Sequence, residues 1–308
     1  MKADVYERIT GQIVTELEKG VRPWFKPWNA EHAAGRITRP LRSNGIPYRG
    51  INVLMLWSEA MTKGYAAPIW MTFKQALELN ACVKKGEKGS LVVYASKVTR
   101  TEIDGDSGNE VERDIPFMKG YTVFNAEQCE GLPAQYTAKP EAPALTPMQR
   151  LETADRFFAA TRADIRHGGT RAYCAEGPDY VQMPPFETFR DAESHASVTA
   201  HELIHWTKRG KRLARDFGRV RHGDEGYARE ELVAELGAAF LCADLELTPE
   251  VREDHAAYIA SWITVLKRDT RAIFSAAAQA QRAADYLQSL QPDAEAEPSE
   301  TPVAGETV

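Results

Sequence analysis

"TAHELIHWTK", residues 199–208, places two histidines four residues apart with a glutamate between them: His201, Glu202 and His205. Side chains four positions apart on an α-helix lie on one face about 5–6 Å apart, so both imidazoles can reach one metal ion. Glu202 then stands beside the ion, where its carboxylate can take a proton from an activated water. The stretch predicts a zinc-binding helix with Glu202 as general base. Mn²⁺ and Co²⁺ also fit such ligands.

A zinc centre of this kind needs a third protein ligand, and candidates lie in "REELVAELGAAF", residues 229–240. Glu231 and Glu235 share one face of a predicted helix, whereas Glu230 is expected to be solvated. By the pattern of thermolysin-like zincins, Glu231 is the ligand and Glu235 supports a ligand histidine from behind, with the reverse assignment left open. Without a third ligand, the two histidines would be ordinary hydrogen-bonded helix residues.

Three further features near this motif carry weaker predictions. Tyr227 and His222 are candidates for stabilising an oxyanion. "DYVQMP", residues 179–184, is a candidate edge strand along which a peptide could lie. The basic stretch of residues 208–223 is either a solvated loop, which we favour, or a second contact for a polyanion.

The net charge of −6 hides two oppositely charged parts of the chain. Residues 19–100 hold 14 Lys and Arg against 4 Asp and Glu, a net charge of +10, so the remaining residues carry −16. The basic part also holds four of the six tryptophans. Cations for phosphates interleaved with rings for bases are what binding of single-stranded nucleic acid requires. The pattern predicts single-stranded DNA as a partner.

Candidate DNA contacts come from "GVRPWFKPW" (20–28), "TRPLRSNGIPYRG" (38–50) and "VKKGEKG" (83–89). In the last stretch, backbone amides around the glycines can also reach phosphates. The predicted contacts are Arg22, Trp24, Lys26, Trp28, Arg39, Arg42, Tyr48, Arg49, Lys84, Lys85 and Lys88. Trp57 and Trp70 are expected in the core instead.

Hydrophobic periodicity predicts an α+β protein, and the length of 308 residues suggests about two domains. Apolar residues at every fourth position predict a helix over residues 4–20, and further helices are expected before Gly64 and after Thr72. Alternating residues on both sides of the polar "DGDSGNE" (104–110) predict a β-hairpin.

The predicted domains differ in composition. The first is a small α+β unit that binds DNA, and a proline-rich linker separates it from a mainly helical, zincin-like unit with a small sheet. The acidic tail is expected to lack a fold. The predicted boundaries are 1–131 for the first domain, 132–147 for the linker, 148–290 for the second domain and 291–308 for the tail.

Composition excludes several classes of protein. No stretch approaches the roughly 18 apolar residues of a membrane span, and the charged N-terminus lacks the apolar centre of a secretory signal. The four cysteines are far apart and form no C-x-x-C pair. We therefore expect a soluble, cytoplasmic protein with reduced thiols and no membrane partner.

Several of these stretches resemble a known family. "PWFKPW", "PYRGINVLMLW", "TFKQA", "VKKGEKG" and "VFNAEQCEGLP" resemble the N-terminal domain shared by ArdC antirestriction proteins and the TraC primases of conjugative plasmids. "HELIHWTKRGKRL" with "YAREELVAELGAAFL" resembles the zincin-like metallopeptidase domain that follows it in ArdC. The resemblance covers about residues 5–290, in the same order.

The resemblance implies a protein that binds single-stranded DNA and helps plasmid DNA escape host restriction during conjugation. It also implies His201, His205 and a glutamate of the 231–235 helix as metal ligands, with Glu202 as base. Primase activity is not carried over from TraC.

Three hypotheses about function follow. The first is a bifunctional antirestriction factor, a DNA-binding domain joined to a zinc metallopeptidase whose protein substrate belongs to the restriction machinery. The second is a DNA-binding protein with a structural, non-proteolytic metal site. The third is a peptidase toxin or regulator that uses DNA only for localisation. Glu202 favours catalysis, because a structural site needs the ligands but not the base.

Overall fold

The computed structural model describes six segments of the chain: residues 4–24, 38–103, 110–137, 146–218, 224–248 and 255–292. They form an α+β structure of helices and small sheets, as predicted. The predicted acidic tail lies almost wholly outside these segments. The proposed boundaries of the domains stay a prediction.

The N-terminal half combines three helices with a mixed sheet. The helices are α1 (Val5–Glu18), α2 (Ile51–Lys63) and α3 (Phe73–Glu78). The strands are β1 (Leu41–Arg42), β2 (Ile69–Met71), β3 (Cys82–Val83), β4 (Ser90–Ile103), β5 (Glu110–Asn125) and β6 (Cys129–Glu130). The main sheet has the order β1-β2-β5-β4, and β3 pairs separately with β6. The predicted hairpin is the long antiparallel pair β4–β5.

Local signals explain where these helices begin and end. Thr72 and Gln75 form the capping box that begins α3. Gly64 adopts a left-handed conformation (φ 75°) directly after α2, where a side chain would be strained.

The C-terminal half is mainly helical. The short helix α4 (Ala134–Thr137) precedes this half and packs on the N-terminal half, where the Tyr136 hydroxyl donates a hydrogen bond to the Ser43 carbonyl. The helices of the C-terminal half are α5 (Pro147–Ala160), α6 (Ala192–Trp206), α7 (Glu225–Asp244), α8 (His255–Arg268) and α9 (Ala272–Ser289). Its strands are β7 (Asp164–His167), β8 (Tyr173–Ala175) and β9 (Tyr180–Met183), in the order β7-β9-β8. The buried α7 packs between α6, α8 and α9.

The two halves share one hydrophobic core. Helix α1 packs against α8, and the Thr10 hydroxyl donates a 2.6 Å hydrogen bond to the Thr270 carbonyl. Trp24 is buried against Trp262 of α8, with ring centroids 5.9 Å apart. Residues 4–24 therefore pack on α8, which in turn contacts α7.

The predicted core tryptophans Trp57 and Trp70 are buried, with 4% and 1% of their surface exposed. All four cysteines lie within the described segments as free thiols. Within those same segments, no helix has the length and apolar character needed to cross a bilayer.

Candidate metal centre

Helix α6 carries the two histidines and is capped by Asp191. The Asp191 carboxylate accepts hydrogen bonds from the Ser194 N–H (2.7 Å) and hydroxyl (2.6 Å). These bonds satisfy a backbone donor that a helix N-terminus otherwise leaves unpaired. In the C-terminal part of the helix, the Nε2 atoms of His201 and His205 lie 3.2 Å apart. The predicted helix therefore brings both imidazoles to one point.

Glu231 of α7 completes the cluster. One of its carboxylate oxygens lies 3.6 Å from His201 Nε2 and the other 3.5 Å from His205 Nε2. One ligand atom from each of the three residues lies within 4.8 Å of the others. Two imidazole nitrogens and a carboxylate are a donor set that Zn²⁺ and similar divalent ions accept. We therefore keep Glu231, rather than Glu235, as the proposed third ligand.

Two further carboxylates face the histidines from behind. Glu235 Oε2 lies 3.9 Å from His201 Nδ1, and Glu230 Oε1 lies 3.3 Å from His205 Nδ1. A carboxylate on Nδ1 orients the ring and leaves Nε2 for the metal. The prediction that Glu230 is solvated is wrong, because this residue is 3% exposed and pairs with Arg215 at 2.8 Å. The sequence offers no periodic signal for this pair, since Arg215 lies in a loop.

The charges of the cluster fit a divalent metal. Burial acts to lower the pKa of His205, but the charge of Glu231 and hydrogen bonds to Glu230 and Glu231 outweigh it and raise the pKa to about 10. Burial acts to raise the pKa of Glu231, yet His205 and His201 hold it far below its ordinary range. Carboxylates held in their ionised form thus surround the two imidazoles. A divalent ion held by the histidines would offset that negative charge.

A glycine allows α6, which carries the two histidines, and α7, which carries the glutamates, to approach each other. A Cβ placed on Gly237 of α7 would lie 2.8–3.0 Å from three side-chain carbons of Ile204 on α6. Ile204 is itself fully buried. The absence of a side chain at residue 237 therefore sets the distance at which Glu231 and Glu235 reach the histidines.

The proposed base Glu202 is buried, with 2% of its surface exposed. Burial first, and then the charge of Glu202, raises the pKa of Cys174 on β8 to about 12. Glu202 therefore lies close enough to Cys174 for its charge to act on that thiol.

Tyr227, a candidate for stabilising an oxyanion, lies near the proposed ligand Glu231. Its hydroxyl is 2.9 Å from that of Tyr258. Burial, the hydrogen bond with Tyr258 and the charge of Glu231 raise the pKa of Tyr227, so it stays a neutral O–H group. His222, the other candidate, lies outside the described residues.

The expected edge strand is placed differently. "DYVQMP" contains β9, which lies in the centre of its sheet, paired in parallel with β7 and antiparallel with β8. The prediction that β9 is an edge strand is therefore wrong. Strand order arises from contacts between segments distant in sequence, which alternation within one strand does not encode.

Two family models match this chain in sequence. The N-terminal domain of anti-restriction factor ArdC matches residues 3–124, and a zincin-like metallopeptidase matches residues 152–279. The metal-free crystal structure of the antirestriction ArdC protein from plasmid R388 is 46% identical, with a TM-score of 0.77 over 94% of this chain and 98% of that chain. The chain belongs to the ArdC family of antirestriction proteins. The Mn(II)-bound structure of the R388 ArdC protein is 44% identical, with a TM-score of 0.77 over 95% of this chain and 100% of that one.

Two further relatives are similar to this ArdC family member over most of its length. "Uncharacterized protein y4eC" of Sinorhizobium fredii (strain NBRC 101917 / NGR234) is 45% identical over 95% of this chain and 94% of its own length. DNA primase TraC of Escherichia coli is 34% identical over 93% of this chain, which spans only 27% of TraC.

Four cations of the basic stretch of residues 208–223 are ion-paired rather than solvated. Lys208 pairs with Glu176 at 2.8 Å, and Arg209 and Arg212 both pair with Asp179. Arg215, whose side chain is wholly buried, pairs with Glu230 as described above. The solvated-loop prediction is therefore wrong for these residues, and their internal partners also argue against a polyanion contact. Residues 219–223 lie outside the described segments.

Four predicted DNA contacts of the ArdC N-terminal domain lie inside the molecule. Arg22 pairs with Glu235, and Arg39 forms a bidentate pair with Asp244 at 2.6 and 2.7 Å. Trp24 and Tyr48 are each 3% exposed. The prediction that these four residues contact DNA is wrong, because a buried side chain offers no surface to a DNA strand. They stabilise the fold instead.

The remaining predicted contacts reach the surface or lie outside the described residues. Arg49 pairs with Asp285 but keeps 52% of its side chain exposed, and the half-buried Arg42 lies over the Tyr48 ring. The lysines of the 84–88 turn are exposed: Lys84, Lys85 and Lys88. Lys26 and Trp28 fall in residues 25–37, which the structure does not describe.

Proposed function

We propose that this ArdC family member is an antirestriction factor that binds single-stranded DNA and carries a zinc metallopeptidase site. It would protect conjugative plasmid DNA from host restriction on entry. The convergence of His201, His205 and Glu231 is the observation that supports the catalytic part. Both histidines also have a carboxylate beside Nδ1, Glu235 for His201 and Glu230 for His205.

In this proposal His201, His205 and Glu231 hold the metal. When bound, the ion supplies Lewis acidity that polarises water and a carbonyl oxygen. Glu202 accepts the proton of the attacking water, and its low exposure excludes competing solvent. Tyr227 remains a neutral hydrogen-bond donor beside the ligands, where it can stabilise a developing oxyanion.

The proposed ion is Zn²⁺, because two imidazoles and one carboxylate are the ligands of zinc peptidases. The Mn(II)-bound structure of the R388 relative supports Mn²⁺ as the second candidate, and Co²⁺ accepts the same donors. A protein of the restriction machinery is the proposed peptide substrate.

The DNA-binding part is supported by charge and by the relatives. Residues 19–100 carry a net charge of +10, and the TraC relatives are DNA primases by name. The exposed lysines Lys84, Lys85 and Lys88, together with Arg42 and Arg49, are the described candidates for phosphate contacts.

The deciding experiment replaces Glu202 by glutamine. Three quantities are measured for the variant: protection of plasmid DNA in conjugation into a restricting host, binding of a labelled oligothymidine, and zinc content. We expect normal DNA binding and zinc content but lost protection. Glu152→Gln, an exposed residue on α5, is the matched control for the same loss of charge.

The other outcomes identify the alternatives. Full protection by Glu202→Gln would overturn the peptidase mechanism and favour a DNA-binding protein with a structural metal site. Lost protection by Glu202→Gln, together with a protective wild-type protein that binds no single-stranded DNA, would favour a peptidase that reaches its target by another route.

A further inference from the structure

Strands β4 and β5 form an arm that extends beyond the core. Their pairing runs without a break from Ser90↔Val123 to Ile103↔Glu110, more than twice the usual strand length of about 5–6 residues. Val92 and Val93 are buried at the base, whereas every described β4 side chain from Lys97 outward is exposed. We define the arm as residues 94–103 and 110–119.

The strand register separates the residues of the arm into two faces. Residues directly opposite each other in an antiparallel pair project to the same side. One face therefore carries three successive cross-strand pairs: Tyr94↔Lys119, Ser96↔Phe117 and Val98↔Ile115. Arg100 follows on the same face. We call this set of exposed residues the strip: Tyr94, Val98, Arg100, Ile115, Phe117 and Lys119.

Four of the six residues of the strip are large apolar or aromatic side chains that are exposed. Tyr94 is 53% exposed and Phe117 39%, and their rings pack edge to face with centroids 6.2 Å apart. Val98 and Ile115 beside them are 48% and 38% exposed. Contiguous apolar side chains on a surface otherwise covered by polar groups mark an interaction site.

Charge distinguishes this face of the arm from the other. Among the described side chains of the arm, the charges on the strip face are those of Arg100 and Lys119, both positive. On the opposite face they are those of Lys97, Glu110 and Glu112, a net charge of −1. The aromatic face is therefore the basic one.

The strip continues into the base of the arm. Tyr121, the cross-strand partner of Val92, lies on the same face and hydrogen-bonds Tyr48. The guanidinium of Arg42 lies over the Tyr48 ring, 5.7 Å from its centroid. A line of rings and cations thus runs from Arg42 to Arg100.

We propose that the strip is the track along which single-stranded DNA binds, with bases stacked on Tyr94 and Phe117 and phosphates on Lys119 and Arg100. This inference rests on the proposed DNA-binding function and assigns it to a surface. Exposed rings spaced along a basic groove or strip suit unpaired bases, because every base offers a π-face. Duplex DNA hides those faces in its stack. A protein partner is the competing occupant, and the positive charge argues against an uncharged one.

The test measures fluorescence anisotropy of a labelled oligothymidine with the full-length protein. Tyr94→Ala and Phe117→Ala should each weaken binding about tenfold, the scale of one lost base–ring stack. Tyr94→Phe should retain near wild-type affinity, because it keeps the ring. Circular dichroism melting of each variant monitors the fold.

Lysines on the two faces provide the matched pair. Lys119 belongs to the strip, whereas Lys97 lies on the opposite face by register. Lys119→Ala should weaken binding and reduce the slope of log affinity against log salt by about one phosphate contact, roughly 0.7 for a single strand. Lys97→Ala should change neither quantity beyond the effect of net charge.

Each result decides one question. Wild-type binding by both ring variants would overturn the strip as a DNA track while leaving the proposed function intact. An equal loss for Lys97→Ala and Lys119→Ala would also overturn it. A wild-type protein that binds no oligothymidine would refute the proposed function itself. Unchanged DNA binding with lost protection in cells would assign the strip to a protein partner.

Discussion

Arg22 and Glu235 form an ion pair that links the N-terminal half of the chain to the metal centre. The guanidinium Nη1 lies 3.1 Å from Glu235 Oε1, and both side chains are 8% exposed. The other carboxylate oxygen of Glu235 lies 3.9 Å from Nδ1 of the proposed ligand His201. Burial acts to lower the pKa of Arg22, and the charge of Glu235 opposes it. A residue from the basic half thus holds the group that orients a metal ligand.

We expect Arg22→Met to weaken zinc binding about 10- to 100-fold, the usual effect of losing a partner behind a metal ligand. The variant leaves the buried Glu235 without its cation, which destabilises a fold by about 3–5 kcal/mol. Isothermal titration with zinc measures the first quantity and urea unfolding the second. Arg22→Lys keeps the charge and is the control. Unchanged zinc affinity in a folded Arg22→Met protein would show that the link has no role in metal binding.

The three glutamates of α7 should differ in their effect on the metal. Glu231→Gln removes a ligand charge and should reduce stoichiometric zinc binding to trace levels. Glu235→Gln and Glu230→Gln each remove only the support of one histidine and should bind zinc about 10- to 100-fold more weakly. Zinc content after dialysis against a weak chelator separates the two classes. Equal loss in all three variants would contradict the assignment of Glu231 as the ligand.

Gly237→Ala should destabilise the protein by about 1–3 kcal/mol through overpacking, since the new methyl group meets the fully buried Ile204. This outcome opposes the ordinary gain of about 1 kcal/mol when alanine replaces glycine in a helix. Gly11→Ala in α1 is the matched control, because a Cβ there meets no atom within 4 Å. Urea unfolding should shift in opposite directions for the two variants. A stabilising Gly237→Ala would contradict the close approach of α6 and α7.

Asp191 makes the stability of the metal helix depend on pH. The hydroxyl of Ser194, followed by its N–H and Arg190, lowers the pKa of Asp191 against an opposing effect of burial. A carboxyl with a lowered folded-state pKa stabilises the protein above its unfolded pKa, about 3.9, and loses that effect as pH falls through the folded value.

We therefore expect Asp191→Ala to cost about 1 kcal/mol at pH 7, the typical value of an N-cap. The difference from wild type should stay constant down to about pH 5 and shrink below about pH 4. Asp191→Asn caps nearly as well and carries no charge, so it should track the wild type at pH 7. Thermal melts across this range measure the effect. A difference that grows as the pH falls would contradict it.

Much of this protein could be predicted from the sequence because the signals are local. The i, i+4 spacing of His201 and His205 requires only helix geometry. Thr72 and Gly64 mark helix ends through their own hydrogen bonds and backbone angles. Alternation around residues 104–110 predicts the β4–β5 hairpin for the same reason, since strand period is a property of the strand alone.

Only the tertiary structure showed which cations, rings and carboxylates are buried and which are exposed. The sequence predicts Arg22, Arg39 and Trp24 as DNA contacts because cations and rings near one another look alike whether they face water or a partner in the fold. Their partners lie more than 200 residues away in sequence for Arg22 and Arg39, so no local pattern reports them. The same holds for Glu230, which Arg215 draws into the interior.

The sequence by itself thus determined the metal helix, the set of candidate carboxylates, the helices and hairpin, and the basic character of residues 19–100. Only the tertiary structure decided that Glu231 meets both Nε2 atoms while Glu230 and Glu235 stand behind the rings. It also decided which strip of the arm combines rings with cations. The physical reason is that periodicity fixes which residues share a face, whereas packing between distant segments fixes what that face meets.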